Sequence, residues 1–313
     1  MTETLTALDR VKGATMKERT VLRGLGYAIA LVVTLLWVSA WAQPHPKELD
    51  VEYVPTPHNV VAEMLRLADV KPTDVVYDLG SGDGRVVITA ATRYKARGVG
   101  VDIDPQRIKE SRANARQAGV DKRVKFLQQD LFKTDIREAT VVSLYLLPEL
   151  NRKLRPKLLS DLRPGTRIVS HDFDMGDWHP DQVINIPGAT YDHTVYYWVI
   201  PANIHATWQM NLPAVLGERR YLLHIQQQYQ EVRGTVRTEG EASLISNATL
   251  RGDHLRFSVM TTIQGEEVKM SFDGRITGDA MHGSMDIQGG TMPGRYDWTA
   301  QRYAGIPIQR QQN

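Results

Sequence analysis

The 313-residue sequence predicts a doubly wound α/β domain with a mostly parallel sheet, followed by a smaller antiparallel all-β domain. Three observations carry this expectation. Apolar strand segments alternate with helix-length segments between residues 58 and 203, a glycine-rich turn follows the first of those strands, and helical periodicity disappears beyond about residue 200.

The elements follow in order. Residues 27–42 form an uncharged apolar run of sixteen residues, short against the roughly 20 needed to span a bilayer. Arg10, Lys12, Lys17, Arg19 and Arg23 precede it, and Ala40-Trp41-Ala42 has the small-x-small form of a cleavage site. Residues 1–42 therefore read as a signal peptide or an uncleaved signal anchor. Export to the periplasm, or anchoring in the inner membrane through residues 27–42, is the expected address, with a cytoplasm-facing body as the alternative. Residues 43–57, rich in proline, read as a linker. Asn59–Ala68 has helical apolar spacing at Val60, Val61, Met64 and Leu65. Strands are expected at Val75–Leu79, Arg97–Ile103, Val124–Gln128, Thr140–Leu146 and Arg167–Ser170. Helices are expected between most of them, at Arg85–Lys95, Asp104–Ala118 and Pro148–Leu162, and His193, Tyr196, Tyr197 and Trp198 belong to a late strand of the same sheet. Residues 204–305 alternate polar and apolar and are punctuated by glycine, as a small barrel or sandwich requires. Leu250-Arg251-Gly252-Asp253 and Ile276-Thr277-Gly278-Asp279 look like echoes of one hairpin turn, and 306–313 is a tail.

Composition narrows the chemistry. The chain has no cysteine, which excludes disulfides, thiolate metal sites and cysteine nucleophiles. Its net charge of +2 belongs to the leader, which has five basic and three acidic residues, and leaves the body with 33 of each. A neutral body offers no bulk attraction for nucleic acid, so no nucleic-acid partner is expected.

The segment Asp78-Leu79-Gly80-Ser81-Gly82-Asp83-Gly84-Arg85 runs from a buried strand into a helix start. Glycines there let the backbone turn tightly and admit a ligand, and the exposed N–H groups favour anions. The spacing is neither that of the dinucleotide fingerprint nor that of a P-loop. Asp102, with Ile103 beside it, ends the second strand, where a carboxylate can accept from both hydroxyls of a ribose. Asp130 and Leu131 follow the third strand, placed to accept from an adenine amine and to pack on its ring.

With these motifs the chain resembles the class I S-adenosylmethionine-dependent methyltransferases, which have a Rossmann-like fold. Tyr53-Val54-Pro55-Thr56-Pro57 together with the glycine loop is similar to the ATP-synthase c-subunit lysine methyltransferase group and its bacterial relatives, and the loop also resembles that of Dot1-type enzymes. The resemblance implies S-adenosyl-L-methionine as cofactor and N-methylation of a protein lysine. It also implies that Gly80, Ser81 and Gly82, after Asp78, face the methionine part of the cofactor. Tyr53 and Thr56 would close over its amino and carboxylate groups, Asp102 would hold the ribose and Asp130 the adenine. The resemblance ends before the C-terminal β domain, and Ser143–Leu150 lacks the Asn/Asp-Pro-Pro-Tyr/Phe motif of enzymes that methylate DNA or glutamine.

Tyr145 and Glu149 follow the fourth strand, where a methyl acceptor enters, and are the catalytic candidates. The acids and histidines of Ser170–His179 invite a metal reading. None is assigned, because neighbours in an extended segment point in different directions and no second cluster supplies further ligands. Two alternatives to the lysine methyltransferase are an exported, non-catalytic binding module and a small-molecule or lipid-precursor methyltransferase near the membrane.

Overall fold

The computed structural model describes residues 53–303, apart from 218, 239 and 264. The expectations for the leader, for most of the 43–57 linker and for the tail lie outside the described residues. Among the described residues no helix is long and apolar enough to cross a membrane.

The first part of the chain builds one seven-stranded sheet in the order β3-β2-β1-β4-β5-β7-β6. Its strands are β1 (Val75–Leu79), β2 (Arg97–Asp102), β3 (Val124–Gln128), β4 (Val141–Leu144), β5 (Arg167–His171), β6 (Gln182–Ile186) and β7 (His193–Val199). β1 pairs in parallel with both β2 and β4, and β5 continues the parallel set. β7 runs antiparallel to β5, and β6 antiparallel to β7. The strand order therefore reverses at β1 and β4, and the crevice beyond their carboxyl ends is where open α/β sheets take ligands.

Among the described residues four helices cover the sheet: α1 (His58–Leu67), α2 (Arg85–Tyr94), α3 (Pro105–Gln117) and α4 (Pro148–Asp161). The alternation of β1 explains why both faces need covering. Val76 joins a core with Val60 and Met64 of α1, Val87 and Ala90 of α2 and Ile108 of α3. Val75, Tyr77 and Leu79 join the opposite core with Leu154 and Leu158 of α4. α3 starts where Pro105 follows Asp104, whose carboxylate accepts from the Gln106 N–H at 2.7 Å.

The second part is a closed eight-stranded antiparallel barrel, which decides between the barrel and the sandwich. Its strands are β8 (Ala206–Asn211), β9 (Tyr221–Gln228), β10 (Glu231–Arg237), β11 (Ala242–Arg251), β12 (His254–Ile263), β13 (Glu266–Thr277), β14 (Ala280–Gln288) and β15 (Gly294–Arg302). The interior is filled by side chains. Phe257 stacks on Phe272 at 4.5 Å between ring centroids, and Trp298 meets Phe272 edge-on at 5.3 Å. Gly274 makes room for that indole, since a Cβ there would stand 2.5 Å from the Trp298 ring. The two turn echoes are the β11–β12 and β13–β14 hairpins, with Gly252 and Gly278 at φ 61° and 60°. Sheet and barrel meet through Trp178, whose Nε1 donates to Gln230 Oε1 at 2.8 Å, and through Arg251, which reaches the Tyr197 hydroxyl.

Several boundaries differ from expectation. β6 has no counterpart among the expected strands of the sheet, β8, β14 and β15 fall in the stretch expected only as an alternating β domain, and β4 is shorter than Thr140–Leu146. In β14 the inward row Met281, Met285 and Ile287 is interrupted by Gly283, which blurs its apolar alternation.

Candidate active site

The loop between β1 and α2 carries Gly80, Ser81 and Gly82, with Gly80 at φ 91°, Gly82 at φ 51° and Gly84 at φ 81°. This left-handed backbone folds the loop over the end of β2, where the Gly80 and Ser81 N–H groups donate to the Val101 carbonyl. Asp102 closes β2. Its Oδ2 accepts from the Gly82 N–H at 2.8 Å and its Oδ1 from the Asp104 N–H at 2.9 Å. Each oxygen keeps a second acceptor lobe, which suits a pair of vicinal hydroxyls. Ile103 is half-buried beside it. After β3, Asp130 Oδ1 accepts from the Phe132 N–H at 3.0 Å, and Leu131 and Phe132 are half-buried apolar neighbours.

Asp78 lies buried at the end of β1 and accepts from the Ser143 hydroxyl at 2.5 Å. Burial pushes its carboxyl up to about 7, opposed by the Ser143 hydrogen bond and helped by the nearby Asp102 and Asp83 charges. The Ser81 hydroxyl is buried without a hydrogen-bond partner. An orphaned hydroxyl on the glycine loop, with a buried acid at the end of β1 and an acid with free lobes at the end of β2, fits the methionine and ribose parts of S-adenosylmethionine.

The segment ahead of α1 lies across this loop. The Tyr53 ring covers Gly82, where a Cβ would come within 2.3 Å of its Cε2. The Arg107 guanidinium sits 4.5 Å from the same ring centroid. Arg85 ties the segment down by donating to the Thr56 carbonyl at 2.7 Å and pairing with Asp83 at 2.7 Å. Burial alone would raise the Asp83 carboxyl, but Arg85 holds it below its ordinary value.

Beyond β4 and β5 stands an aromatic wall. Tyr145 packs on His171 at 4.0 Å and stacks near Phe173 at 6.0 Å, and Tyr191 packs on His193 at 4.5 Å. Burial, the hydrogen-bonded Tyr191 and Asp172 push the Tyr145 hydroxyl up to about 12, so it remains a neutral donor. Burial keeps His171 below its ordinary value against the pull of Asp172. Glu149 is not part of this wall. Its side chain is 73% exposed on α4 and pairs with Arg152 at 3.0 Å.

His171, Asp172 and His193 lie within 4.8 Å of one another through their ligand atoms, which corrects the expectation that adjacent residues diverge and that no further ligand joins them. Asp172 sits at φ 58°, so the pleat breaks there and its carboxylate swings back to the side of His171. The pairing of β5 with β7 then brings His193 alongside. That pairing was the signal that could have found it. Arg85, which pins Thr56, was also missed, since nothing local in the sequence marks a contact 29 residues away.

Comparison with known proteins bears on the class of enzyme. The ANTKMT methyltransferase domain family matches residues 78–182. The chain is 48% identical over 151 residues to a protein-lysine N-methyltransferase of Saccharolobus islandicus, covering 48% of this chain and 94% of that protein. It is 32% identical to the adenine nucleotide translocase lysine N-methyltransferase of Mus musculus, over 51% of this chain and 69% of that one. A crystal structure described as an RNA methyltransferase from Salinibacter ruber with S-adenosyl-L-homocysteine shares 60% identity. It covers 48% of this chain and 96% of that one, with a TM-score of 0.46. On its identity to the Saccharolobus enzyme over nearly that protein's whole length, this chain belongs to the protein-lysine N-methyltransferase family.

Proposed function

We propose that the chain transfers a methyl group from S-adenosylmethionine to the side-chain amine of a protein lysine. The observation that carries this is the 48% identity to a protein-lysine N-methyltransferase over 94% of its length. The site described above supports it. When bound, the cofactor would supply a methyl carbon on a sulfonium. A lysine amine that has first lost its proton to solvent would attack that carbon in line, the C–S bond breaking with its electron pair left on the departing thioether. Gly80, Ser81 and Gly82 would bind its methionine part, with Asp78 beneath, while Asp102 and Ile103 take the ribose and Asp130 and Leu131 the adenine. Tyr53 and Thr56 would close over it. Tyr145, Phe173 and Tyr191 offer a lysine an apolar, π-rich wall that strips water from its amine and aligns it. Rate then comes from positioning and desolvation. Glu149, exposed and paired, is given no part.

The address is proposed on separate grounds. The basic residues before the apolar run 27–42 and the triplet Ala40-Trp41-Ala42 support export of the body, by cleavage or by an uncleaved anchor. A reporter fused after Asn313 is expected to score beyond the inner membrane, and a purely cytoplasmic score would reverse that assignment. Because the cofactor is charged and does not cross a lipid core unaided, an exported enzyme requires a carrier for it.

The activity is tested with methyl-labelled S-adenosylmethionine and fractionated extract, followed by mass spectrometry of peptides. Label in methyl-lysine is the expected result. Label confined to RNA or to small molecules would overturn the acceptor. Asp102→Ala is expected to weaken cofactor binding by about 100-fold, since hydrogen bonds to a charged group contribute roughly 1.5–3 kcal/mol each.

A further inference from the structure

We propose that His171, Asp172 and His193 form a binding site for a single first-row divalent transition-metal ion, zinc in type, between the ends of β5 and β7. The proposal rests first on a triangle of atoms. His171 Nε2 lies 2.9 Å from His193 Nδ1 and 3.1 Å from Asp172 Oδ2, and His193 Nδ1 lies 3.2 Å from that same oxygen. Around an ion with bonds of about 2.0–2.1 Å, neighbouring ligands stand about 3.3 Å apart in a tetrahedron and about 3.0 Å apart in an octahedron. The observed triangle has the size of one such ligand face.

Imidazole protons around an ionised Asp172 cannot satisfy this arrangement. An imidazole nitrogen carries one in-plane lobe, holding either a proton or a lone pair, and the carboxylate oxygen offers only lone pairs. A ring of three atoms cannot alternate donor and acceptor. With Asp172 ionised, every placement of the imidazole protons therefore sets two lone pairs or two N–H groups against each other along one edge. A cation at the centre pairs with all three at once.

The surroundings prepare the donors for that role. His171 Nδ1 lies 3.2 Å from the Thr56 hydroxyl, and an Nδ1–H donated there leaves Nε2 bare for a metal. Asp172 is held by its other oxygen, which accepts from the Thr194 N–H at 2.8 Å, and the rings of Tyr145 and Tyr191 pack against the two imidazoles. Two imidazoles and one carboxylate with open positions suit zinc, cobalt or iron better than magnesium or calcium, which take all-oxygen sets. None of the three ligands is a residue proposed to hold the cofactor, so the site stands without the methyltransferase reading, although Thr56 serves both.

The full chain, freed of metal with a chelator and dialysed, is titrated with Zn²⁺ by calorimetry and with Co²⁺ by visible absorption. One equivalent is expected to bind with a dissociation constant in the micromolar range or below, and Co²⁺ should show the intense ligand-field bands of a four- or five-coordinate site. His193→Ala and Asp172→Asn should each weaken binding by roughly 100-fold, and Thr56→Val by roughly 10-fold, the low end for a group that orients a ligand. Circular dichroism of the metal-free variants establishes that they fold, and Thr56→Val keeps all three ligands should either of the others fail to do so. Absence of saturable one-to-one binding to the unaltered chain overturns the site. So does binding that survives unchanged in both ligand variants.

Discussion

Asp78 shows how one buried side chain links the fold to its chemistry. It is buried near the end of the central strand, and the hydrogen bond from the Ser143 hydroxyl does not offset the cost of burying a charge. Its carboxyl titrates at about 7 in the folded chain, whereas an unfolded aspartate titrates at about 4. Between those values the folded state holds a proton that the unfolded state has released. Stability therefore falls as pH rises from about 4 to about 7 and levels off above that. Urea titrations across this range should show a decline of at most about 4 kcal/mol from this group, and Asp78→Asn, which keeps an acceptor for Ser143 but cannot ionise, should remove it. An unchanged pH slope in that variant would show that Asp78 is ionised throughout. Near neutral pH the carboxyl stands at its midpoint, so a cationic ammonium brought close by the cofactor would favour the carboxylate and release the remaining proton to solvent.

At the scale of the element, the glycine loop is the part most constrained by contacts on both sides. Gly82 combines a left-handed φ of 51° with a ring directly overhead. Gly82→Ala carries a backbone cost of about 1–2 kcal/mol and also drives its Cβ into Tyr53. The melting temperature should fall by a few degrees, while cofactor affinity should drop at least about 10-fold because the covering segment is displaced. Equal losses in Gly82→Ala and in Tyr53→Ala/Gly82→Ala would show that the ring is not what the methyl group disturbs. This loop was legible in the sequence because its chemistry is local: strand, turn and helix start follow one another within eleven residues. The strands that pair through β1 were legible for the same reason, each being a short apolar run bounded by turns. The His171–Asp172–His193 grouping was not, because it depends on one residue leaving the extended region and on a strand pairing 22 residues later. The barrel strands β14 and β15 escaped because their inward residues include glycine and alanine, which blur the alternation.

The whole molecule joins its two parts at the loop that also walls the proposed acceptor site. Trp178 is fully buried, and its Nε1 donates to Gln230 in the turn between β9 and β10. Gln230 Nε2 returns a hydrogen bond to the His179 carbonyl at 2.7 Å, Tyr229 stacks on the Trp178 indole, and its hydroxyl donates to Asp177 at 2.9 Å. The barrel thus grips the same segment whose beginning, Asp172 and Phe173, stands beside Tyr145. That arrangement lets the barrel brace the loop beside the proposed acceptor wall. Gln230→Ala leaves the indole N–H buried and unpaired, at a cost of about 1–3 kcal/mol. If the barrel braces the loop, methyl transfer should slow while cofactor affinity stays unchanged, since none of the cofactor-facing residues touches Gln230. The unfolding transition should also remain single when followed by tryptophan fluorescence and by far-ultraviolet circular dichroism. Two separated transitions in the unaltered chain would mean that sheet and barrel unfold independently, and full activity in Gln230→Ala would mean that the loop holds its shape without the barrel.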